Sequence, residues 1–133
     1  MGRVLSFWRS LTTRPRFPYL PITTSSIATP RYNGADIDLG VIDLTAPALE
    51  PRWLMKTPFR EDQPAWSPDG ALIAFASNQL GDPDIWVMPF SGREGQAAIP
   101  VSRQGGVRPI WSTDGRTLYF SDDDAVMAAT VSR

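Results

Sequence analysis

The sequence predicts an all-β fold of short antiparallel strands in repeated units, and three observations carry that prediction. Thirteen prolines and ten glycines in 133 residues interrupt the chain too often for long helices. A seven-residue segment recurs 45 positions downstream, and the apolar pattern beyond it recurs in the same register. The apolar runs between turn signals have strand length, not helix length. At 42% apolar and 20% charged residues the composition is that of an ordinary globular chain, sized for one small domain.

Residues 1–35 come first and differ from the rest. They hold Arg3, Arg9, Arg14, Arg16 and Arg31 and no acid, so the remaining 8 basic and 14 acidic groups (13 − 5 and 14 − 0) all fall in 36–133. Pro15, Pro18, Pro21 and Pro30 and the run Thr23-Thr24-Ser25-Ser26 complete a basic, Pro/Ser/Thr-rich segment that reads as a flexible arm, with the boundary near Asn33-Gly34. Met1-Gly2-Arg3-Val4-Leu5-Ser6 also fits the loose myristoylation pattern, and the acid-free start fits a transit peptide, but neither signal is specific. No signal peptide is evident. The longest uncharged run, Phe17 to Pro30, is too short and too Pro-broken to span a bilayer.

The repeat organises residues 36–133. Pro64-Ala65-Trp66-Ser67-Pro68-Asp69-Gly70 returns as Pro109-Ile110-Trp111-Ser112-Thr113-Asp114-Gly115. Each copy reads as a hairpin: the Trp-Ser pair ends a strand, Pro68 presets the first corner, Asp69 or Asp114 bonds locally, and Gly70 or Gly115 returns the chain in the left-handed conformation. On this reading Gly70→Val should destabilise more than Gly95→Val. The next strands, Ala71–Ala76 and Thr117–Ser121, are apolar or small on both sides, which predicts burial on both faces. A third strand, Asp84–Phe90, has counterparts in Asp38–Leu44 and Ala125–Val131. A fourth is expected at Trp53–Thr57 and at Ala97–Ser102. The count is two strands, then four, then three.

Four antiparallel strands per 40 to 50 residues is the pattern of a propeller blade, so the fold class is a partial β-propeller of about two to three four-stranded blades. The blade remnants are 36–57, 64–102 and 109–131. Pro64 to Gly70, Ile73-Ala74-Phe75 and Asp84-Ile85-Trp86-Val87-Met88 resemble the WD-repeat-like propeller repeat of bacterial TolB-type proteins. Thr57 through Val131 looks more closely like the C-terminal blades of propellers attached to bacterial serine/threonine kinases. The eukaryotic WD pattern is not met, because Gly-His and Trp-Asp dipeptides are missing. Closure takes about four to eight blades and this chain supplies about two and a quarter, so it is expected to be a piece of a longer protein, a subunit of an assembly or the product of a truncated frame. Open blades should then expose the apolar faces of Ile73, Phe75, Ile85, Val87, Leu118 and Phe120 and promote self-association through open edges.

Candidate chemistry is sparse. Without Cys or His the chain lacks thiolate, imidazole and His/Cys metal chemistry, and it has a single lysine, Lys56. Asp69 and Asp114 read as turn formers and not as a catalytic carboxylate pair, and Ser67 and Ser112 have no base within the repeat. Asp122-Asp123-Asp124, and Asp82 with Asp84, lack the spaced D-x-D-x-D-G loop of a calcium site. Trp66 and Trp111 are expected to pack between blades. The five arginines of 1–35 are a thin footprint for nucleic acid. Thus no catalytic, cofactor or metal residue is assigned, and Pro64, Trp66, Ser67, Asp69, Gly70, Pro109, Trp111, Ser112, Asp114 and Gly115 form a structural repeat motif. The expected function is noncatalytic: a sensor or binding surface for a protein, a ligand or further blades. A G-x-S-x-G elbow and the kinase H-R-D motif are absent. The resemblance implies a periplasmic or extracytoplasmic place, and the propeller of a hydrolase such as a prolyl oligopeptidase is the alternative.

Overall fold

The computed structural model describes residues 26–33, 36–90 and 95–132. Ten strands form three antiparallel sheets. The first holds β1 (Ser26–Asn33), β2 (Asp36–Asp43) and β3 (Pro51–Met55) in the order β1-β2-β3. The middle sheet holds β4 (Glu61–Trp66), β5 (Leu72–Ser77), β6 (Asp84–Pro89) and β7 (Ile99–Pro100). The last holds β8 (Val107–Trp111), β9 (Thr117–Asp122) and β10 (Ala125–Thr130). Strand order follows chain order in every sheet, as in an all-β partial propeller.

The first sheet has three strands where the repeat count gave two. The extra one, β1, lies inside the segment read as an arm and pairs with all of β2, from Ser26↔Asp43 to Asn33↔Asp36. Antiparallel pairing satisfies its backbone groups without requiring an apolar sequence, and so composition did not mark it. The proposed myristoylation and transit-peptide segments lie outside the described residues.

The middle sheet is covered on both faces. Ile73, Phe75, Trp86 and Met88 meet Leu39, Val41 and Leu54 of the first sheet. On the opposite face Ala74, Ala76, Ile85 and Val87 meet Trp111, Leu118 and Phe120 of the last. Within β5 the segment Ile73-Ala74-Phe75-Ala76 thus alternates large side chains toward one neighbour and small ones toward the other, with Leu72 joining the small ones at the margin of their cluster. The small face admits the Trp111 ring. This corrects one expectation: Ile73, Phe75, Ile85, Val87, Leu118 and Phe120 are all buried, at 0–7% exposure, because neighbouring sheets cover them. The exposed large apolar groups on the last sheet are Tyr119, Val126 and Met127.

Candidate functional site

The repeat motif builds two matching corners. The Ser67 hydroxyl donates to Asp69 Oδ1 (2.7 Å) and accepts from the Leu72 N–H (2.9 Å), while Asp69 Oδ1 also accepts from the Ala71 N–H (3.1 Å). Ser112, Asp114, Arg116 and Thr117 reproduce this at 2.6, 3.0 and 2.9 Å. Gly70 and Gly115 close the corners with φ of 70° and 69°. Gly95 also has a positive φ, 74°, so a tight corner no longer separates it from Gly70 as a site for valine. The hydrogen bonds from Ser112 and the Arg116 N–H hold the Asp114 carboxyl below the ordinary carboxylate range. Each aspartate is committed to its own corner.

The other acidic candidates divide in the same way. Asp84 is buried and accepts from Ser102 Oγ (3.0 Å) and the Gly105 N–H (3.0 Å), which ties the loop after β7 to β6. Among the described residues no group of three or more acidic side chains is arranged to hold a metal ion. Trp111 is 9% exposed and its indole N–H donates to the Ala65 carbonyl at 3.0 Å, linking the last sheet to the middle one. Trp66, which is half-buried, packs edge-on against Phe90 with ring centroids 4.5 Å apart.

The site that sequence reasoning missed lies where β4 and β8 begin. Gln63 and Arg108 are repeat equivalents, and both adopt a left-handed backbone, φ 55° and 56°. Each sits where the pairing register slips, between Asp62 and Ala65 and between Val107 and Ile110. The signal was available in Pro64 and Pro109, since proline inside a strand is confined to edges and bulges. Strained non-glycine residues of this kind concentrate at functional sites, and here the strain is held by a bond between sheets, from the Arg108 N–H to Gln63 Oε1 at 2.6 Å.

A cleft of about 320 Å³ opens beside these bulges, lined by Arg60, Asp62, Gln63, Ser77, Asn78 and Val107 among others. Arg60 and Asp62 form an ion pair at 2.8 Å, with the arginine 60% and the aspartate 12% exposed. Asn78 fixes the wall by accepting from the Arg60 N–H at 2.8 Å. The lining therefore offers a paired charge, amide groups and a small apolar wall. That arrangement can hold polar groups of a ligand or a protein loop.

No protein-family model matches the chain. Over 63 residues, 47% of this chain, it is 35% identical to the uncharacterized peptidase YuxL of Bacillus subtilis, of which the match covers 9%. A structure of a TolB-designated protein from Agrobacterium tumefaciens superposes with a TM-score of 0.67 at 22% identity, covering 81% of this chain and 42% of that one. TolB from Acinetobacter baumannii gives 0.65 at 14% identity, covering 84% and 28%. The fold is that of a TolB-like β-propeller, and the chain spans less than half the length of each of these three proteins.

Proposed function

We propose that this chain is a noncatalytic propeller segment that works within a larger propeller and presents a protein- or ligand-binding surface at the cleft beside Gln63 and Arg108. The supporting observation is the strain at these equivalent residues. Two left-handed non-glycine residues, bridged across sheets, border a polar cleft on a rigid scaffold. The Ser67–Asp69 and Ser112–Asp114 hydrogen bonds lie within their own turns, which supports a structural role for these groups.

A hydrolase propeller is the second reading, favoured by the partial identity to a peptidase. One experiment addresses both. Partners cross-linked to the purified chain are compared between the parent and Arg60→Glu, which reverses charge in the cleft, and peptidase activity is assayed on the same samples. Loss of a partner in Arg60→Glu, with Leu49→Ser as an exposed control, supports the cleft reading. Partners indifferent to Arg60 overturn it, and peptide hydrolysis by the chain itself overturns the noncatalytic reading. A G-x-S-x-G elbow with a distal histidine in flanking coding sequence would favour the hydrolase propeller.

A further inference from the structure

The two carboxamides of the cleft are each half used. Gln63 Oε1 accepts the Arg108 N–H at 2.6 Å, and Asn78 Oδ1 accepts the Arg60 N–H at 2.8 Å. A backbone N–H can only donate, so in both residues it meets the carboxamide oxygen, and the NH2 group is the free end. Both residues are half-buried in the cleft lining, and among the described residues neither NH2 group has a hydrogen-bond partner. The wall therefore offers donors that the protein itself does not use.

Arg60 adds to them. Its Nε and Nη2 both reach Asp62 Oδ2 at 2.8 Å, so the ion pair occupies the side edge of the guanidinium. The end edge, Nη1 with Nη2, is left for a second acceptor, and the side chain is 60% exposed. A carboxylate matches that edge, because its two oxygens take parallel N–H bonds from the planar fork. Asp62 presents no full charge against such a group, since Arg60 already pairs with it, and its Oδ1, which bonds to no described residue, can accept an N–H beside the carboxylate. Ala76, Pro83 and Val107 supply apolar surface for the carbon chain that carries the acid. At about 320 Å³ the cleft sits at the small end of ligand pockets, roughly 300–1,000 Å³, which suits one side chain with its flanking peptide groups.

We propose, on the basis of the cleft reading above, that the cleft is a carboxylate-recognition site for an acidic segment of a partner polypeptide. Arg60 takes the carboxylate on its free edge. The NH2 groups of Gln63 and Asn78 donate to that carboxylate and to an adjoining main-chain carbonyl, and Asp62 Oδ1 accepts a main-chain N–H. The main-chain contacts separate a peptide from a free acid, because acetate offers the carboxylate alone.

The test is nuclear magnetic resonance of the full, isotope-labelled chain titrated with a capped Gly-Glu-Gly peptide, with its Gly-Gln-Gly counterpart and with sodium acetate. The side-chain NH2 signals of Gln63 and Asn78 report directly on the cleft. The expected result is a saturable shift of both signals with the Glu peptide, and affinities about tenfold lower for the Gln peptide and for acetate, the worth of one charge-assisted hydrogen bond. Gln63→Glu and Asn78→Asp each keep the oxygen that holds a backbone N–H and remove the NH2 group. Each should therefore weaken binding of the Glu peptide by about tenfold or more, read at the other carboxamide, with the parent's circular dichroism retained. If one variant fails to fold, the other decides by the same criterion. Equal affinity for the Glu and Gln peptides overturns carboxylate recognition and leaves the cleft reading standing. Acetate binding as tight as that of the Glu peptide overturns the peptide source. Signals that respond to neither peptide overturn the proposal, as does undiminished binding in the folded variants. The cleft reading itself falls on a separate observation, cross-linked partners indifferent to Arg60→Glu.

Discussion

The indole N–H of Trp111 donates to the carbonyl of Ala65, 46 positions earlier, and this 3.0 Å bond ties the last sheet to the middle one. The ring belongs to the same buried cluster as Ala74 and Ala76, so one residue supplies both apolar packing and a polar anchor between sheets. Trp111→Phe should keep most of the packing, lose the bond and leave a carbonyl without its partner. The expected cost is about 1–3 kcal/mol in denaturant unfolding. A loss no larger than that of an exposed substitution such as Leu49→Ala would separate the bond from stability.

A bridge of a different kind joins Gln63 to the Arg108 N–H. Gln63→Ala should leave that amide without its acceptor and relax both bulges. Hydrogen exchange at Arg108 should speed up about tenfold, corresponding to about 1.4 kcal/mol, while exchange within β5 and β6 stays unchanged. Unchanged exchange at Arg108 would show that the bulge is held by its own backbone.

Gly106 is a close-packing glycine. A Cβ there would come within 2.9 Å of Ile85 Cγ1 and Phe120 Cδ2 and 3.0 Å of Ser102 Oγ, all in the core between the middle and last sheets. Gly95 has open space around its Cβ position and only its positive φ to satisfy. Gly106→Ala should therefore cost about 1–3 kcal/mol by overpacking, and Gly95→Ala about 1 kcal/mol. Equal melting-temperature losses would argue against the close approach of the loop to Phe120.

Acid sensitivity should include a contribution from Asp114. Its folded-state carboxyl is held low by Ser112 and the Arg116 N–H, so its stabilising effect is complete above the unfolded value near 3.9 and is lost as pH falls through the folded value. Asp114→Asn keeps an acceptor oxygen but does not titrate. The stability difference between parent and variant should shrink on titration from pH 5 to pH 2, and a difference constant with pH would contradict the assigned cause.

Much of the fold was legible, for reasons that differ by element. The corners at Ser67-Asp69-Gly70 and Ser112-Asp114-Gly115 were readable because turn chemistry is local. Two-sided burial of Ile73-Ala74-Phe75 was readable because a strand without a polar face has nowhere to put water. β1 is hard to read from composition because its pairing with β2 is a backbone interaction, although Gly34, standing first between Asn33 and Asp36, has the sequence pattern of a two-residue hairpin connection. The cleft was illegible for a further reason: Asp62, Asn78 and Val107 converge only when sheets stack, and nothing local announces their meeting.

The stacking of the three sheets is the claim on which the cleft and the burial pattern depend, and nuclear Overhauser contacts of the Trp111 indole N–H test it most directly. Contacts to the Ala65 and Ala74 methyl groups, beside ordinary cross-strand contacts inside each sheet, are the predicted result. Cross-strand contacts within sheets but none from Trp111 to Ala65 or Ala74 would mean separate hairpins without a shared core, and would contradict the account.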